Sequence, residues 1–272
     1  MKEPKKISLV LLPMLFFAGQ ACAQENLWNK LNAESVMLFK QGQYPEAAKS
    51  AEKALKTAEK TFGPKHSNVA TSLNNLAELY RIQGQYAAAE TLYLRALAID
   101  AKAPGAAPLE MAAHLNNLAA LYSAQERYGE SEPLYQRSLK IKEKALGKEN
   151  PEVAKSLNNL AAFYCAQEKY DQAEPLFKRA LTIKEKALGK DDPDVATSLN
   201  NLAAFYCSRK KHAKAEPLYQ RALAIWEKTL GPEHPAVATV LENLAELYKN
   251  TGRQYKAGKL LERAKNIRSI NK

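Results

Sequence analysis

The chain has 272 residues, 46% hydrophobic and 25% charged, with a formal net charge of +11. That balance is ordinary for a folded protein and excludes a low-complexity or fibrous chain. Glycine is scarce at 11 residues, and no alternating Val/Ile/Thr run reads as a strand, so helix is the expected structure throughout. Lysines interleave with glutamates, as in "KIKEKALGKEN", and no basic stripe carries interleaved aromatics, so nucleic acid is not an expected partner.

The first segment, "MKEPKKISLVLLPMLFFAGQACAQ", stands apart. Lys2, Lys5 and Lys6 precede an apolar stretch from Ile7 to Gly19, and "ACA" follows at Ala21–Ala23. A basic start, a short apolar core and small residues at the cleavage position predict a secretory signal peptide over 1–23, cut after Ala23. The apolar stretch is short for a bilayer span, which needs about 20 residues. Two alternatives are an uncleaved anchor and lipid attachment at Cys22. Against the lipid anchor, Gly19 stands where such signals place an aliphatic residue. The segment holds three lysines and one glutamate, so the mature chain would carry about +9. A basic surface of that size can attract acidic partners, but mixed-sign charge first serves solubility.

Beyond the leader the sequence repeats itself. "SLNNLAAFYC" occurs at Ser156–Cys165 and again at Ser198–Cys207. Aligned on its leucine, six units begin near Leu31, Leu73, Leu115, Leu157, Leu199 and Leu241, each 42 residues after the last. A fixed period of this size predicts a solenoid of stacked helix pairs. In the unit at Leu157, Asn150 and Pro151 predict the start of a first helix, and Asp192–Pro193 and His234–Pro235 repeat the device. Leu157, Leu160, Ala161 and Tyr164 lie on one face of that helix. A second helix is expected from near Asp171 to Leu188, stopped by Gly189. Its buried stripe should be Ala173, Leu176, Phe177, Ala180, Ile183 and Ala187. Lys178, Thr182, Glu185 and Lys186 should be solvated. Pro175, with Pro133 and Pro217, requires either a late start or an irregular first turn.

The pattern L-x-x-L-A-x-x-Y, followed by Tyr, Ala, aromatic and Ala, resembles the tetratricopeptide repeat. The 42-residue length and "RALAIxEKxLGxxHPxVAxxLNNLA" resemble its kinesin-light-chain type. The likeness covers all six units of 24–272. It implies an all-α fold, an α-solenoid of six helix-turn-helix repeats forming a right-handed superhelix with a concave groove. Binding to a cytoplasmic motor is not implied for an exported chain.

The asparagines are the candidate site. On a helical wheel, Asn158, Asn159, Ala162, Cys165 and Ala166 oppose the leucine face, and they carry no charge. An asparagine amide offers donors and an acceptor that match a peptide backbone. One row is Asn75, Asn117, Asn159, Asn201 and Asn243, and its companion is Asn74, Asn116, Asn158 and Asn200. The first row resembles the asparagine ladder in the tetratricopeptide superhelix of the O-linked N-acetylglucosamine transferase family. That resemblance implies contact with a ligand's main chain. The competing role for the same amides is to bridge adjacent repeats. Between the rows the floor is small: Ala120, Ala162 and Ala204, with Ser123, Cys165 and Cys207. Glu78 and Arg81 lie toward one end, and Glu246 and Lys249 toward the other. This predicts a narrow neutral groove for an internal peptide segment rather than a free carboxylate.

Departures mark the ends. Ala33, Glu34 and Leu38 break the pattern in the first unit, "DAKAPGAAPLEM" predicts a longer loop, His212 replaces a tyrosine, and the tyrosine of the last unit shifts to Tyr255. "LLERAKNIRSINK" should close the array with a polar face. Scattered His66, His114, His212 and His234 predict no metal site, and no cofactor loop or catalytic cluster is present. His66 and His234 share an interhelix turn and read as structural. Cys165 and Cys207 occupy equivalent places on neighbouring helices, which pack about 8–10 Å apart, too far for a disulfide limited to about 7 Å. They should be free thiols. The leading expectation is therefore a non-catalytic scaffold, periplasmic or secreted, that holds an extended segment of another protein. The alternatives are a lipid-anchored envelope assembly factor or chaperone-like adaptor, an enzyme or its accessory domain, and end-to-end self-assembly.

Overall fold

The computed structural model describes residues 11–102 and 108–270. The start of the expected signal peptide and the centre of the expected long loop, at 103–107, lie outside the described residues. The described residues form helices and no strand. The first helices of the repeats are α1 (Leu11–Lys40), α3 (Ser67–Ile82), α5 (Pro108–Ala124), α7 (Pro151–Ala166), α9 (Pro193–Ser208) and α11 (Pro235–Asn250). The second helices are α2 (Tyr44–Phe62), α4 (Tyr86–Asp100), α6 (Tyr128–Leu146), α8 (Tyr170–Leu188), α10 (His212–Leu230) and α12 (Gln254–Ile270). We call these the A and B helices. The expected cleavage point at Ala23 falls inside α1. No described helix is long and apolar enough to cross a membrane.

The chain divides into two units, Met1–Leu134 and Tyr135–Lys272, with the boundary inside α6. In the first unit α1 packs on α2, α2 on α3, α3 on α4 and α4 on α5. In the second, α7 through α12 pack in the same consecutive order. Contacts between successive A helices are few, so within their units α2, α4, α8 and α10 each join the A helices on either side.

Local chemistry fixes the helix ends. Asn150 and Asp192 accept the backbone N–H groups of Glu152 and Asp194 at 2.9 and 2.8 Å, with proline in the first turn of each helix. His66 and His234 do the same through Nδ1, at 3.1 Å from the N–H of Asn68 and of Ala236, so their ring proton sits on Nε2. That fulfils the structural reading of these two histidines. Gly189 ends α8 at φ 88, ψ 158, where its N–H donates to the Glu185 carbonyl. That combination is almost exclusive to glycine. Pro175 neither delays α8 nor ends it. The helix starts at Tyr170 and runs through the proline, as α6 and α10 run through Pro133 and Pro217. The ring costs one intrahelical bond in the second turn, where the helix is already held by packing.

The core follows the expected face. Leu157, Leu160, Ala161 and Tyr164 are buried, as are Ala173, Phe177, Ala180 and Ile183. The stripe departs from expectation at its edges: Leu176 and Glu185 are half-buried, Ala187 is exposed, and Lys184 is buried at 2% exposure. Its ammonium donates to the Asp194 carbonyl at 3.1 Å, so the end of α8 grips the start of α9. A hydrophobicity pattern cannot see a lysine whose stem packs and whose charge finds a carbonyl. Asp100 and His114 form a comparable buried contact at 2.6 Å between α4 and α5.

A second set of contacts lies at the turn within each repeat. Tyr122 at the end of α5 donates to Glu90 of α4 at 2.9 Å. Arg127, in the following turn, binds Glu90 at 2.7 Å and lies 4.0 Å over the Tyr122 ring. Tyr206 donates to Glu174 at 3.0 Å, with Lys178 2.7 Å from the same carboxylate. Arg253 binds Glu216 at 2.8 Å and lies 4.2 Å over Tyr248. Each of these clasps ties one B helix to the end of the next A helix. The lysine and glutamate interleaving thus does more than solubilise.

Candidate binding face

The expected site residues lie on the A helices, and the structure separates the two rows. In the companion row, Asn74 and Asn158 are buried, while Asn116 and Asn200 are half-buried. In the first row, Asn159 is exposed and Asn75, Asn117, Asn201 and Asn243 are half-buried. Ala162 and Ala204 are exposed and Ala120 is half-buried. Successive residues on a helix are turned by about 100°, so one row faces outward and the other toward the neighbouring repeat.

The two rows bond to each other across repeats. Asn117 Nδ2 donates to Asn74 Oδ1 at 3.0 Å in the first unit. Asn243 Nδ2 donates to Asn200 Oδ1 at 3.0 Å in the second. These rungs are the bridging role in atomic form. They commit one proton of each first-row amide and leave its carbonyl oxygen to other partners; Asn117 Oδ1 receives a long 3.4 Å contact from Asn116. Bridging and ligand contact are therefore compatible at one residue.

In the second unit an open cleft of about 380 Å³ lies along the A helices. Asn158, Asn159, Ala162, Cys165, Asn201, Ala204 and Ser208 line it, with Phe177 and Phe205 at its base. It contains no charged lining residue. Cys165 and Cys207 are free and half-buried, and burial pushes both thiols up from their usual value. Both are neutral filler at pH 7 rather than activated nucleophiles.

The charged ends behave unequally. In the first unit Glu78 takes the position that alanine holds in the central repeats. It is bonded by Arg81 at 2.6 and 2.8 Å and by the Tyr93 hydroxyl at 2.8 Å. Burial, then Glu78, push the Tyr93 hydroxyl far above its usual value, so it stays a donor. That charge is internally satisfied and offers little to an ionic ligand. Glu246 and Lys249 are exposed in the last repeat. Among the described residues no cluster of three or more His, Cys, Asp or Glu could hold a metal ion.

Stacked helix pairs at a 42-residue period, joined by asparagine rungs, define a repeat solenoid. The chain belongs to the tetratricopeptide-repeat family, whose pattern it matches over residues 29–102, 110–186, 152–204 and 194–269. Among solved structures it is similar to BtubC (BKLC) from P. vanneervenii, at 28% identity and a TM-score of 0.68, over 85% of this chain and 91% of that one. It is also similar to a putative kinesin light chain with nearly identical repeats from Podosopora anserina, at 28% identity and a TM-score of 0.62, over 76% and 98%. PilF of Pseudomonas aeruginosa shares the fold at 20% identity, with a TM-score of 0.55 over 88% and 90%. No curated protein matches the chain. The kinesin-light-chain type of repeat expected from the sequence is thus the type the comparisons return. Proteins of this family are generally non-catalytic interaction scaffolds.

Proposed function

We propose that this protein is a non-catalytic scaffold that holds an extended segment of another protein along its A-helix face. The observation that supports the reading is the combination of asparagine rungs with an uncharged, open cleft beside them. A solvated helix face ordinarily carries charge. Here amide pairs and small side chains stand at the surface instead, and a peptide backbone matches both chemically. The neutral cleft favours an internal segment over a terminal carboxylate, which would need cations the cleft lacks.

The basic start, apolar run and Ala21–Ala23 support export, and with it a periplasmic or secreted site of action. Cell-envelope proteins are then the expected partners. The test compares the mature protein with an Asn159→Ala/Asn201→Ala/Asn243→Ala variant of matched helicity in pull-downs from envelope extract. Partners held by the first and lost by the second support the face as the binding site. Identical partner sets would exclude it. The mass of the mature N-terminus tests export separately: Gln24 as first residue fits cleavage after Ala23, and a lipid-modified Cys22 would identify an anchored protein.

A further inference from the structure

An A helix meets the B helix before it through a stripe of residues at i, i+3, i+7 and i+10. In α9 the stripe is Val195, Ser198, Leu202 and Phe205, all buried, and Phe205 meets Phe177 of α8 with ring centroids 5.7 Å apart. The counterparts in α3, α7 and α11 are buried as well. In α1 the same register gives Leu27, Lys30, Glu34 and Met37. Among the described residues no helix covers them: Leu27 is 44% and Met37 52% exposed, and Lys30 and Glu34 are exposed too. The stripe follows Ala23, so it remains after the expected cleavage. A terminal repeat needs a polar outer face. Lys30 and Glu34 answer that need, whereas Leu27 and Met37 keep apolar side chains in water, which marks a contact surface.

We propose that this stripe pairs two copies of the protein through antiparallel α1 helices, with Leu27 against Met37 and Lys30 against Glu34 of the second copy. The charges select this occupant. With two α1 helices antiparallel about Asn32, both contacts form at once and the two-fold axis repeats them. A parallel pair would set Lys30 on Lys30 and Glu34 on Glu34. The Glu34 carboxylate is braced by the Ser50 hydroxyl at 2.8 Å, which fixes one side of the ion pair. Beside Met37, Ala33, Val36 and Lys40 border an open hollow of about 550 Å³ that receives Leu27 of the second copy. The far end of the array does not compete for the stripe. Leu55 and Leu139 pack beside Val69 and Val153, at the start of the stripe that follows each. At their place α12 carries the exposed Lys265, and end-to-end stacking would press that ammonium onto Leu27 beside Lys30. The pairing surface shares no residue with the neutral cleft, so it goes beyond the peptide-scaffold reading and does not depend on it.

The test is sedimentation equilibrium of the purified protein, its N-terminus fixed by mass, over a range of concentrations. A monomer and a dimer in exchange are expected. Lys30→Glu sets carboxylates face to face across the pair, and Glu34→Lys does the same with ammoniums, so each should weaken the dimer at least about tenfold. The two variants mixed in equal amounts should pair with each other as tightly as the native chain pairs with itself, a result that altered stability within one α1 helix does not produce. Should Glu34→Lys fail to fold without its Ser50 contact, Met37→Lys takes its place and should leave a monomer. The direction of pairing is read by oxidation. Leu27→Cys and Met37→Cys chains should cross-link at those residues when mixed, and neither should do so alone. A monomer at every concentration, or a dimer indifferent to Lys30→Glu, would overturn the proposal, as would cross-linking of two Leu27→Cys chains to each other. A mass that grows past two copies would overturn it in favour of end-to-end stacking.

Discussion

Asn158 and Asn200 share a sequence context and differ in what they bond, so the same substitution should act oppositely on them. At Asn158 the amide oxygen is buried and unpaired, and Asn158→Leu replaces it with apolar volume. Stability should rise by about 1 kcal/mol. At Asn200 the oxygen receives the Asn243 amide, and Asn200→Leu removes that rung. Stability should fall by about 1 kcal/mol. Urea midpoints of the two variants measure both; equal shifts would show that the open rung is filled by water. The turn within each repeat offers a second contrast. Gly42, Gly84 and Gly252 hold positive φ there, but Glu126, Glu168 and Lys210 occupy the same place at φ 56–59. Replacing Glu168 by glycine should stabilise the chain by up to about 1 kcal/mol, because a side chain in this region carries that cost. Gly189→Ala should lose about 2 kcal/mol, although open space surrounds the position, because its backbone conformation excludes side chains. The sequence displayed both asparagine rows through the 42-residue period. It could not say which rung stays open, since Asn158 and Asn200 sit in identical decamers and differ only in whether the next repeat's amide reaches them.

At the level of elements, the clasps between B and A helices carry the ionic chemistry. Arg127 holds the Glu90 carboxyl below the usual range, Lys178 does so for Glu174, and Arg253 for Glu216. A depressed carboxylate contributes stability that is present above its unfolded value, about 4.3, and is lost as pH falls through the folded value. The melting temperature should therefore decline steeply below about pH 4.3. A Glu90→Gln/Glu174→Gln/Glu216→Gln variant should start lower at pH 7 and decline less; unchanged slopes would assign acid loss to other groups. The opposite sign holds at high pH. Burial, reinforced by Glu52 and Glu90, pushes the Tyr80 and Tyr122 hydroxyls up to about 12. Stability from these tyrosines is complete below their unfolded value, about 10, and is lost as pH rises toward 12. Tyr80→Phe/Tyr122→Phe should flatten that alkaline limb in a thermal melt. These clasps were partly legible. Glu90, Glu132, Glu174 and Glu216 recur at one phase of the repeat, and Arg127, Lys169, Lys211 and Arg253 at another. Apart from Lys178 and Glu174, four residues apart on α8, the partners lie more than 30 residues apart, beyond the reach of any helix-spacing rule, so the glutamates and lysines read as a solvated face. Lys184 escaped for a related reason: only the adjacent α9 shows that a buried ammonium has a carbonyl to meet.

For the whole molecule, the period supplied the helix pairs and their order, because each repeat is one helix pair that buries its leucine face on its neighbours. The division at Leu134–Tyr135 was not legible, since the 42-residue register runs through it unbroken. In such an array the stability of a repeat is its own plus that of its interfaces, so end elements should open first. The C-terminal helix shows the asymmetry. It buries Ala257, Ala264 and Ile267, while Tyr255 is 76% and Ile270 62% exposed. One repeat earlier, α10 buries Ala215, Tyr219, Ala222, Ile225 and Trp226 between α9 and α11, and the Trp226 indole donates to the Pro193 carbonyl at 3.1 Å. Burying a tyrosine and a tryptophan, where α12 buries only one large apolar residue, favours α10 by about 3 kcal/mol. Amide hydrogens of α12 should then exchange roughly 100-fold faster than those of α10 at neutral pH. Removal of the Trp226 ring by Trp226→Ala should narrow that gap by raising exchange in α10 without touching α12. Equal protection in the native protein would instead mean that these repeats unfold as one cooperative body, in which the last helix is held by more than the residues it buries.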